Sequence, residues 1–466
     1  MVANVNYLFD PIDTQAEPEI QRVFRAQRGQ QGRLKASSAD VRKQKLKRLR
    51  DVLVDHAHDI DQALFDDLRK PRMGNQHFEL ISVLEEIDLA LAELETWMAP
   101  EKIAVSAHNA GCKAEIRYEP KGICLLFGAW NFPFALTLAP LVPMIAAGNC
   151  VIIKPNELQP ATSRLIARLI SQVFEENEVV VFQGGVPLAE LLLTLPVDHI
   201  FFTGSPAVGK RVMQAAANHL SSVTLELGGK CPVIVDGTTD LKALAGKIVG
   251  ARFFNAGQLC LACDQVWLPA ERRDEFVEIL RVIINQTFYA SGVLDKSRLS
   301  RIVDSRNVAR LQSTLINAVE LGATVVIGGQ VESEDLTIHP TVVVDVSLHA
   351  RLMQEEIFGP ILPVMTYAKL QDVFEHIDAT GKPLAVYVFS ERPEFVEQVL
   401  LNTSSGGVTV NDVLRHYQEI RLPFGGVNQS GMGRYKGRYG FLELSNARSV
   451  FTPCAPSDST TGKDSE

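Results

Sequence analysis

Apolar and polar positions divide the chain into a helical first part and a longer part in which short apolar runs recur. Residues 18–100 contain few glycines and prolines, and leucines and isoleucines recur there mostly at helical spacing. Beyond residue 120, short apolar runs end in Gly, Pro or polar residues, and helix-length segments separate most of them. Near-continuous apolar strands that alternate with helices predict parallel sheets whose two faces are both covered.

The apolar runs fall into two sets, which together predict an α/β fold with two sheets. The first set has a doubly wound nucleotide-binding pattern, with strands predicted at 122–130, 150–155, 179–185, 199–205 and 222–227. The second set follows Gly228 and predicts another α/β domain, with strands at 232–237, 264–269, 324–329, 341–346, 361–367, 384–390 and 407–412. Helices are predicted at 162–174, 206–218, 272–287 and 308–321. Two strand-like pieces, 115–120 and 449–453, lie outside both sets.

Composition and charge narrow the classes of function. The chain has 466 residues, of which 46% are apolar and 22% charged, as in an ordinary globular protein with room for two or three domains. A net charge of −9 argues against general nucleic-acid binding. The basic run 42–50 is interpreted as the solvated face of an amphipathic helix, because leucines recur through it at helical spacing.

Targeting and membrane segments are not expected. The first residues lack a basic start followed by an apolar stretch, so we expect no secretory signal. The uncharged stretch 128–153 is long enough to span a bilayer, but three prolines and a Gly-Asn pair favour a buried loop, helix and strand. The polar tail 454–466 is expected to be disordered and to carry no membrane anchor. Seven scattered cysteines do not resemble a disulfide framework, which favours a reducing cytoplasm.

A phosphate-binding turn is one interpretation of residues 201–210, FFTGSPAVGK. No G-x-G-x-x-G occurs, and GMGRYKG (431–437) follows no predicted strand. In 201–210 a strand ends at Thr203, a Gly-Ser turn follows, and Pro206 suits the first turn of a helix. Backbone N–H groups at that helix start and the Ser205 hydroxyl could face a pyrophosphate, although a simple β–α turn fits equally well.

Cys260 and Cys263, in NAGQLCLACDQVW (255–267), are the first candidates for chemistry. A C-x-x-C can be a redox dithiol, half of a metal site, or one nucleophile beside a buried cysteine. No second C-x-x-C, H-x-x-x-H or H-E-x-x-H is present, so a zinc site is not predicted. The Gly-Gln pair before Cys260 could expose it as a nucleophile.

Glu226 and Asn131 are the next candidates. Glu226 ends an apolar run in VTLELGGK (223–230), where burial would raise its pKa and suit a general base; a solvent-facing Glu at a strand end is the alternative. Asn131, in FGAWNFPF (127–134), follows the first strand of the sheet. Ligands of open α/β sheets bind at that edge, and a side-chain amide there can donate to an oxyanion; a turn Asn before Phe-Pro is the alternative.

Seven motifs in order closely resemble the NAD(P)-dependent aldehyde dehydrogenase superfamily. They are GAWNFPF (128–134), KPNE (154–157), FTGSPAVG (202–209), LELGGK (225–230), NAGQLC (255–260), EEIFGP (355–360) and LPFGGVNQSGMG (422–433). The resemblance extends from about residue 20 to 453. The short N-terminus, the AWN before Phe-Pro and NDVLRH (411–416) look like the class 3 and coniferyl-aldehyde-dehydrogenase-like branch.

The resemblance implies a role for each matching residue. Cys260 would attack the aldehyde, the Asn131 amide and the Cys260 N–H would hold the oxyanion, and Glu226 would activate water to release the acid. The positions that match those around the cofactor's ribose, adenine side and pyrophosphate are Trp130, Lys154, Glu157, Gly204, Ser205 and Gly209. Those that match the surroundings of the nicotinamide and its ribose are Leu227, Glu356 and Phe358.

The resemblance also implies the domain organisation. A Rossmann-like cofactor-binding domain would comprise 1–101 and 120–227, and a catalytic domain 228–442. Segments 102–119 and 443–453 would form β oligomerisation arms, and a homodimer is expected because class 3 members are often dimers.

Cofactor preference and substrate stay open at this point. Glu157 could bond ribose hydroxyls and would repel a 2′-phosphate, so NAD is expected, but Lys154 could relieve the repulsion and NADP remains open. The branch suggests a medium to long aliphatic or an aromatic aldehyde. One alternative is a coenzyme A-acylating relative, which the presence of Glu226 disfavours. Another is a non-catalytic binding member of the fold, which the presence of Cys260, Glu226 and Asn131 together disfavours.

Two positions depart from the pattern of the branch. Cys263 stands where class 3 members often carry Pro, and Asn428 replaces a more usual Gly. Cys263 lies close enough in sequence to trap an oxidised Cys260, so a protective disulfide between them is a hypothesis.

Overall fold

The computed structural model describes residues 16–71 and 76–453, and the prediction for the tail 454–466 lies outside them. The helices are α1 (Ala16–Lys35), α2 (Ala39–Asp55), α3 (Ala57–Leu68), α4 (Ser82–Met98), α5 (Ala135–Ala147), α6 (Pro160–Val173), α7 (Val186–Leu192), α8 (Pro206–Ala217), α9 (Leu241–Phe253), α10 (Arg273–Phe288), α11 (Ser305–Glu320), α12 (Arg351–Gln354), α13 (Leu370–Thr380), α14 (Pro393–Asn402), α15 (Arg415–Gln418) and α16 (Gly437–Glu443). The helices predicted from the sequence are confirmed, with ends that differ by a few residues.

The strands confirm both predicted sets. They are β1 (Glu101–Ile103), β2 (Lys113–Pro120), β3 (Ile123–Phe127), β4 (Cys150–Lys154), β5 (Val179–Val181), β6 (His199–Thr203), β7 (Ser222–Glu226), β8 (Pro232–Val235), β9 (Gln265–Pro269), β10 (Tyr289–Ala290), β11 (Val293–Leu294), β12 (Thr324–Ile327), β13 (Val331–Glu332), β14 (Thr337–Ile338), β15 (Thr341–Val344), β16 (Ile361–Tyr367), β17 (Ala385–Phe389), β18 (Gly407–Val410), β19 (Gly431–Met432) and β20 (Ser445–Thr452).

The first sheet has the strand order β19-β7-β6-β3-β4-β5 and is parallel except for β19. Residues of β3 alternate between two apolar cores: Cys124 and Leu126 face one, and Ile123 and Leu125 face the other. Burial on both faces explains why these strands read as continuous apolar runs. Gly431 of β19 pairs with Glu226, so this sheet includes a strand from segment 228–442, the predicted catalytic domain.

The second sheet has the order β12-β15-β16-β9-β8-β17-β18, parallel except for the edge strand β12. A third sheet, β1-β2-β20, is antiparallel and contains both strand-like pieces that lay outside the two predicted sets. Strands β3, β4, β6 and β7 of the first sheet end at a cleft, which is where α/β folds place their ligands. Residues that precede β8, β9 and β16 of the second sheet line the same cleft.

The N-terminal helices match the predicted pattern with one correction. Leu46, Leu49 and Leu53 of α2 are fully buried. Arg42 is also buried, in contrast to the predicted solvated face, and its guanidinium donates to the carbonyl oxygen of Ala146 at 2.9 Å.

The apolar stretch 128–153 folds as predicted into a loop, the buried helix α5 and strand β4. Across 16–71 and 76–453, no helix has both the length and the apolar character needed to cross a membrane. Five cysteines of this part of the chain are free thiols, whereas Cys112 at the start of β2 is disulfide-bonded, which the sequence did not predict.

Candidate active site

A cleft of about 990 Å³ lies between the carboxyl ends of the first sheet and the segments that precede β8, β9 and β16 of the second, a size in the usual range for a cofactor or ligand pocket. Most of the predicted site residues line it: Trp130, Asn131, Lys154, Glu157, Gly204, Ser205, Glu226, Leu227, Cys260, Glu356 and Phe358. The structure therefore brings together residues that are up to 228 positions apart in the sequence, from Trp130 to Phe358.

Cys260 follows a turn with an uncommon backbone. Asn255, Ala256 and Gly257 have positive φ angles of 49°, 52° and 73°. A Cβ on Gly257 would lie 2.2 Å from the carbonyl oxygen of Gly359, so only glycine fits there. Strained backbone of this kind persists where the surroundings hold it, and it often marks a functional site.

The buried side chain of Gln258 holds this turn from inside. Its amide nitrogen donates to the carbonyl oxygens of Asn255 at 3.0 Å and Arg301 at 2.9 Å, and its Oε1 accepts from the Val303 amide at 3.0 Å. All of these bonds are made away from bulk water, because Gln258 has no exposed surface.

Asn131 is joined to the same turn from the other sheet. Its Nδ2 donates to the carbonyl oxygen of Gln258 at 3.2 Å, and its own carbonyl oxygen accepts from Asn255 Nδ2 at 3.0 Å. One Nδ2 proton remains for the cleft, since a side-chain amide has two. Asn131 is thus buried, bonded to the Cys260 turn through both its side chain and its backbone, and lines the cleft.

Two side chains behind Cys260 fix its backbone. Cys231 Sγ donates to the Cys260 carbonyl oxygen at 3.3 Å, and the Tyr387 hydroxyl donates to the next carbonyl oxygen, that of Leu261, at 2.7 Å. Burial raises the pKa of the Cys260 thiol, and the carboxylates of Glu356 and Glu226 add to this effect. A positive charge or a base close to the sulfur would therefore favour the thiolate.

Cys263 faces away from this chemistry. It is fully buried and free, and burial is the main reason that its thiol pKa is raised, with Arg252 and Asp264 as the nearest charges. Cys231 is the cysteine that contacts the Cys260 residue. Across the described residues, no three His, Cys, Asp or Glu side chains are grouped so that they could hold a metal ion.

Glu226 lies at the end of β7, buried, with no hydrogen-bond partner at either carboxylate oxygen. Burial raises its pKa well above the usual range; Arg434 opposes that rise, and Glu443 adds to it. The solvent-facing alternative is therefore wrong. A buried carboxylate with two free acceptor sites can bind and deprotonate a water molecule.

A small apolar cavity, which we call the tunnel, borders Cys260 next to the cleft. Its wall is almost entirely aliphatic and aromatic, and Cys260, Glu226 and Leu227 border both the tunnel and the cleft. The other residues that line it are Phe78, Phe132, Leu136, Thr203, Leu259, Leu261, Leu414, Tyr417, Phe424 and Tyr435.

The turn after β6 has the geometry that the sequence suggested. Ser205 caps α8, which begins at Pro206, and its hydroxyl accepts from the Val208 amide at 3.5 Å. Gly204 and Ser205 line the cleft beside this helix start, where free N–H groups favour a phosphate. Gly209 lies one turn inside α8 and does not line the cleft; a Cβ there would lie 2.8 Å from Leu227 Cδ2, so this glycine allows close packing.

Carboxylates stand at both ends of the cleft. Glu157 accepts a hydrogen bond from Lys154 Nζ. Burial raises the pKa of Glu356 to about 8, and its Oε1 has no partner. A Cβ on Gly228 would lie 1.9 Å from Glu356 Oε2, so glycine is required for this approach. Unpartnered acceptors of this kind fit the hydroxyl groups of a dinucleotide's riboses.

The aromatic residues of the cleft pack edge to face. Trp130 and Phe358 have ring centroids 5.2 Å apart at 74°, and Phe358 has a positive φ of 49°. Such a corner gives a flat ligand an apolar wall.

Several residues that hold the site were missed by the sequence reasoning. Asn255 and Gln258 stand in the quoted motif, but the pattern gave no sign of their bonds. Tyr387 lies on β17, and Cys231 and the buried acid Asp264 directly precede β8 and β9. Asp264 pairs with Lys230 at 2.6 Å and Arg252 at 3.1 Å and accepts from the Ile357 amide. The one signal in the sequence that could have identified them as site residues is the position of polar side chains next to apolar runs.

Comparisons with known proteins agree with this geometry. The model of the Aldehyde dehydrogenase family matches residues 9–450. The chain is 40% identical to aldehyde dehydrogenase family 3 member B3 of Mus musculus, covering 90% of this chain and 86% of that protein. It is 39% identical to 4,4'-diaponeurosporen-aldehyde dehydrogenase of Staphylococcus aureus, covering 88% of both. The solved structure of Staphylococcus aureus AldH in a substrate-bound state aligns with a TM-score of 0.90 and 36% identity over 95% of both chains.

Proposed function

The chain belongs to the aldehyde dehydrogenase family, and we propose that Cys260, Glu226 and Asn131 carry out its catalytic steps. As a member it is an NAD(P)-dependent oxidoreductase that converts an aldehyde to the carboxylic acid, and its relatives include class 3 enzymes. The observation that carries the assignment of residues is their convergence: Asn131, Glu226 and Cys260 border one cleft from three separate parts of the chain.

Cys260 is the proposed nucleophile. Its thiolate sulfur adds to the aldehyde carbon, the carbonyl π bond moves onto oxygen, and a thiohemiacetal forms. The free Nδ2 proton of Asn131 and the Cys260 N–H bind that oxygen as its negative charge develops. Trp130, Leu227, Glu356 and Phe358 would hold an oxidised nicotinamide, which would supply the hydride acceptor needed to convert the thiohemiacetal on Cys260 into a thioester.

Glu226 is the proposed base for hydrolysis. Its carboxylate removes a proton from water, the water oxygen attacks the thioester carbon, and the C–S bond breaks to release the acid and the Cys260 thiolate. The unpartnered oxygens of Glu226 support this role, because they leave room for a water molecule. They also favour hydrolysis over transfer to coenzyme A.

NAD is the preferred cofactor in this proposal. Glu157 would accept from ribose hydroxyls at the adenosine end, while Glu356 would do so near the nicotinamide; Trp130, Leu227 and Phe358 would supply the apolar walls. Lys154 already donates to Glu157, so its ammonium group is engaged and does not stand free to pair with a 2′-phosphate. Glu157→Gln should weaken use of NAD by about 10- to 100-fold, the cost of one charged hydrogen bond, and improve the NADP to NAD ratio.

An apolar aldehyde is the proposed substrate, of medium to long aliphatic or of aromatic type. The wall of the tunnel supports this choice, because it offers apolar and aromatic surface and almost no polar group apart from the site itself. A charged aldehyde would lose its hydration without compensation there.

A homodimer built through the arms is the proposed assembly. In the third sheet β20 is an edge strand whose residues are mostly exposed, Phe451 among them at 52%. In the second sheet β18 is also an edge strand. Unpaired edges invite another strand, so pairing of β20 with β18 of a second copy would cover both. Sedimentation should then give a dimer, and removal of residues 443–453 should give a monomer.

The proposed domains are the cofactor domain of 1–101 and 120–227, the catalytic domain of 228–442 and the two arms. The proposed location is the cytoplasm, which fits the five free thiols of the described residues; the bonded Cys112 is the exception.

The test of the function is NADH formation with a panel of aldehydes, with and without coenzyme A. We expect NADH and free acid without coenzyme A, and a loss of about 10²- to 10³-fold in Asn131→Ala, as for other oxyanion donors. NADH that depends on coenzyme A would favour the acylating alternative. The absence of NADH with every aldehyde would indicate a non-catalytic binding protein.

A further inference from the structure

We infer that a buried ion pair, Lys70–Glu79, is a positioning element for the oxyanion-binding loop that carries Asn131. The inference rests on the proposed role of Asn131 and goes beyond it. Neither residue lines the cleft or the tunnel, so neither is a catalytic residue. Both side chains have no exposed surface, and Lys70 Nζ donates to Glu79 Oε1 at 2.5 Å.

Glu79 holds the end of the Asn131 loop. Its second carboxylate oxygen, Oε2, accepts from the backbone amides of Phe134 at 3.2 Å and Ala135 at 2.9 Å. These amides open α5, so the carboxylate also lies at the positive end of a helix of 13 residues. Asn131 is three residues before Phe134, and its own amide is held from the other side by Gln258. The loop is therefore fixed at both ends.

Lys70 holds the ring that lies between these two ends. Its ammonium group stands 4.0 Å from the centroid of the Phe132 ring, in a cation–π contact. Phe132 follows Asn131 directly and lines the tunnel. The ion pair thus contacts the loop twice, once through backbone amides and once through an aromatic face.

A break in helical geometry brings Glu79 to this place. Residues His77–Ile81 form a π-helical turn, in which the Ser82 amide donates to the His77 carbonyl oxygen. The turn directs Phe78 into the tunnel wall and Glu79 towards the amides of Phe134 and Ala135. Single π turns inside helices are uncommon and are frequent at functional sites.

A second buried pair supplies a matched control. Glu86 lies seven residues after Glu79 and is equally buried. It accepts from the Gly437 amide at 2.9 Å and faces Lys436, whose ammonium stands 3.6 Å from the centroid of the Tyr417 ring. Each glutamate therefore accepts from a backbone amide and has a buried lysine near it that stands against an aromatic wall of the tunnel. The lysine donates directly to the glutamate only in the Glu79 pair; Lys436 donates to the Tyr417 carbonyl oxygen instead. Only the Glu79 pair touches the Asn131 loop.

The Lys70–Glu79 pair is expected to matter more for the position of the oxyanion donor Asn131 than for the stability of the fold. Burial lowers the pKa of Lys70 and raises that of Glu79, and the charge of each partner opposes this change in the other. A buried pair of this kind is weak evidence for stability, since apolar residues often replace it without loss. The effect on the reaction rate can be larger than the effect on stability, because a displacement of about 1 Å in a catalytic group can cost about 10²-fold in rate.

The test compares Glu79→Gln with Glu86→Gln in the full chain. Three quantities are measured: the melting temperature, the single-turnover rate of NADH formation with an aldehyde, and the rate of Cys260 alkylation by iodoacetamide. Alkylation needs the thiolate but develops no oxyanion on the carbon that is attacked. We expect Glu79→Gln to slow NADH formation about 10- to 100-fold and to leave alkylation within about 3-fold, and Glu86→Gln to change neither by more than about 3-fold.

Other outcomes overturn the inference. NADH formation within about 3-fold of wild type in Glu79→Gln would do so, as would a parallel loss of NADH formation and alkylation, or an equal loss in Glu86→Gln. If Asn131→Ala is itself as fast as wild type, the proposed function fails instead.

The double variant Lys70→Met/Glu79→Gln covers the case in which Glu79→Gln does not fold. It leaves no unpaired buried charge, so we expect its melting temperature to recover. Its NADH formation should stay several-fold slow, because a neutral amide oxygen holds the two loop amides less firmly than a carboxylate. Recovery of both the melting temperature and the rate would show a purely structural role and reject the inference.

Discussion

The turn that carries Cys260 and the strand end that carries Glu226 border the same cavity, but they are built in opposite ways. Three successive positive φ angles lead into Cys260, and buried bonds from Gln258, Cys231 and Tyr387 hold it. Glu226 ends a regular parallel strand, and its carboxylate has no partner at all. The proposed nucleophile is thus fixed in place, whereas the proposed base keeps its hydrogen-bonding capacity for water.

This difference follows from the two chemical tasks. A nucleophile and its oxyanion donors must meet one carbon atom with a fixed geometry, and preorganised groups do this without further cost in the reaction. A base must bind a water molecule that arrives later, and a partnered carboxylate would have to give up a hydrogen bond first. Predictions that alter one region alone should therefore affect different steps.

The largest effect is expected from removal of the nucleophile. Cys260→Ala should lower the steady-state rate by about 10⁴-fold or more, because a covalent step is lost. Cys263→Ala, the matched control, removes a buried sulfur that faces away from the cleft, so it should keep most of the activity and lose only about 1 kcal/mol of stability. Equal loss in both variants would contradict the assignment of Cys263 as a buried bystander.

The second effect isolates the base. Glu226→Gln should slow release of the acid by about 10²- to 10⁴-fold, the usual contribution of a general base, while the first turnover still forms NADH. Rapid-mixing measurements should therefore show a burst of NADH followed by a slow steady phase. A slow first turnover without a burst would show that Glu226 acts before the thioester forms.

The third effect tests the strain in the turn. Gly257→Ala places a Cβ 2.2 Å from the Gly359 carbonyl oxygen, at a φ of 73°. It should destabilise the protein by about 1–3 kcal/mol and slow acylation by about 10²-fold through displacement of Cys260. Gly246→Ala in α9 is the control, since no atom lies within 4 Å of its added Cβ. If the two variants match in rate, the conformation of the turn does not matter for acylation.

The smallest effect tests the charges around the base. Because ionised Glu226 is the active form, hydrolysis should rise with pH through its raised pKa. Arg434 lowers the pKa of Glu226, so Arg434→Met should raise that pKa further and move the acid limb of the pH profile to higher pH. Glu443 raises the pKa of Glu226, so Glu443→Gln should move the acid limb to lower pH. Rates on the acid side should change by about 3- to 10-fold. Shifts in the same direction would show that these charges do not act on Glu226.

The course of the chain could be predicted well, and the support of the site could not. Continuous apolar runs such as 150–155 predicted buried parallel strands, because burial on both faces leaves that trace in the sequence. The burial of Arg42 and the disulfide bond of Cys112 were not predicted, which shows the limit of prediction from the sequence. A residue's type does not reveal a partner that lies far away in the chain.

The sequence by itself determined the order of the elements and the motifs that place the chain in its family, and it singled out Cys260, Glu226 and Asn131 as the candidates for catalysis. These are local properties, recorded in periodicity and in short runs of residues. The tertiary structure alone decided that Asn131 is joined to the Cys260 turn, that Glu226 is buried without a partner and that Lys70 and Glu79 hold the oxyanion loop. Each of these depends on contacts between distant segments, which form only when the two sheets and the helix before them pack together.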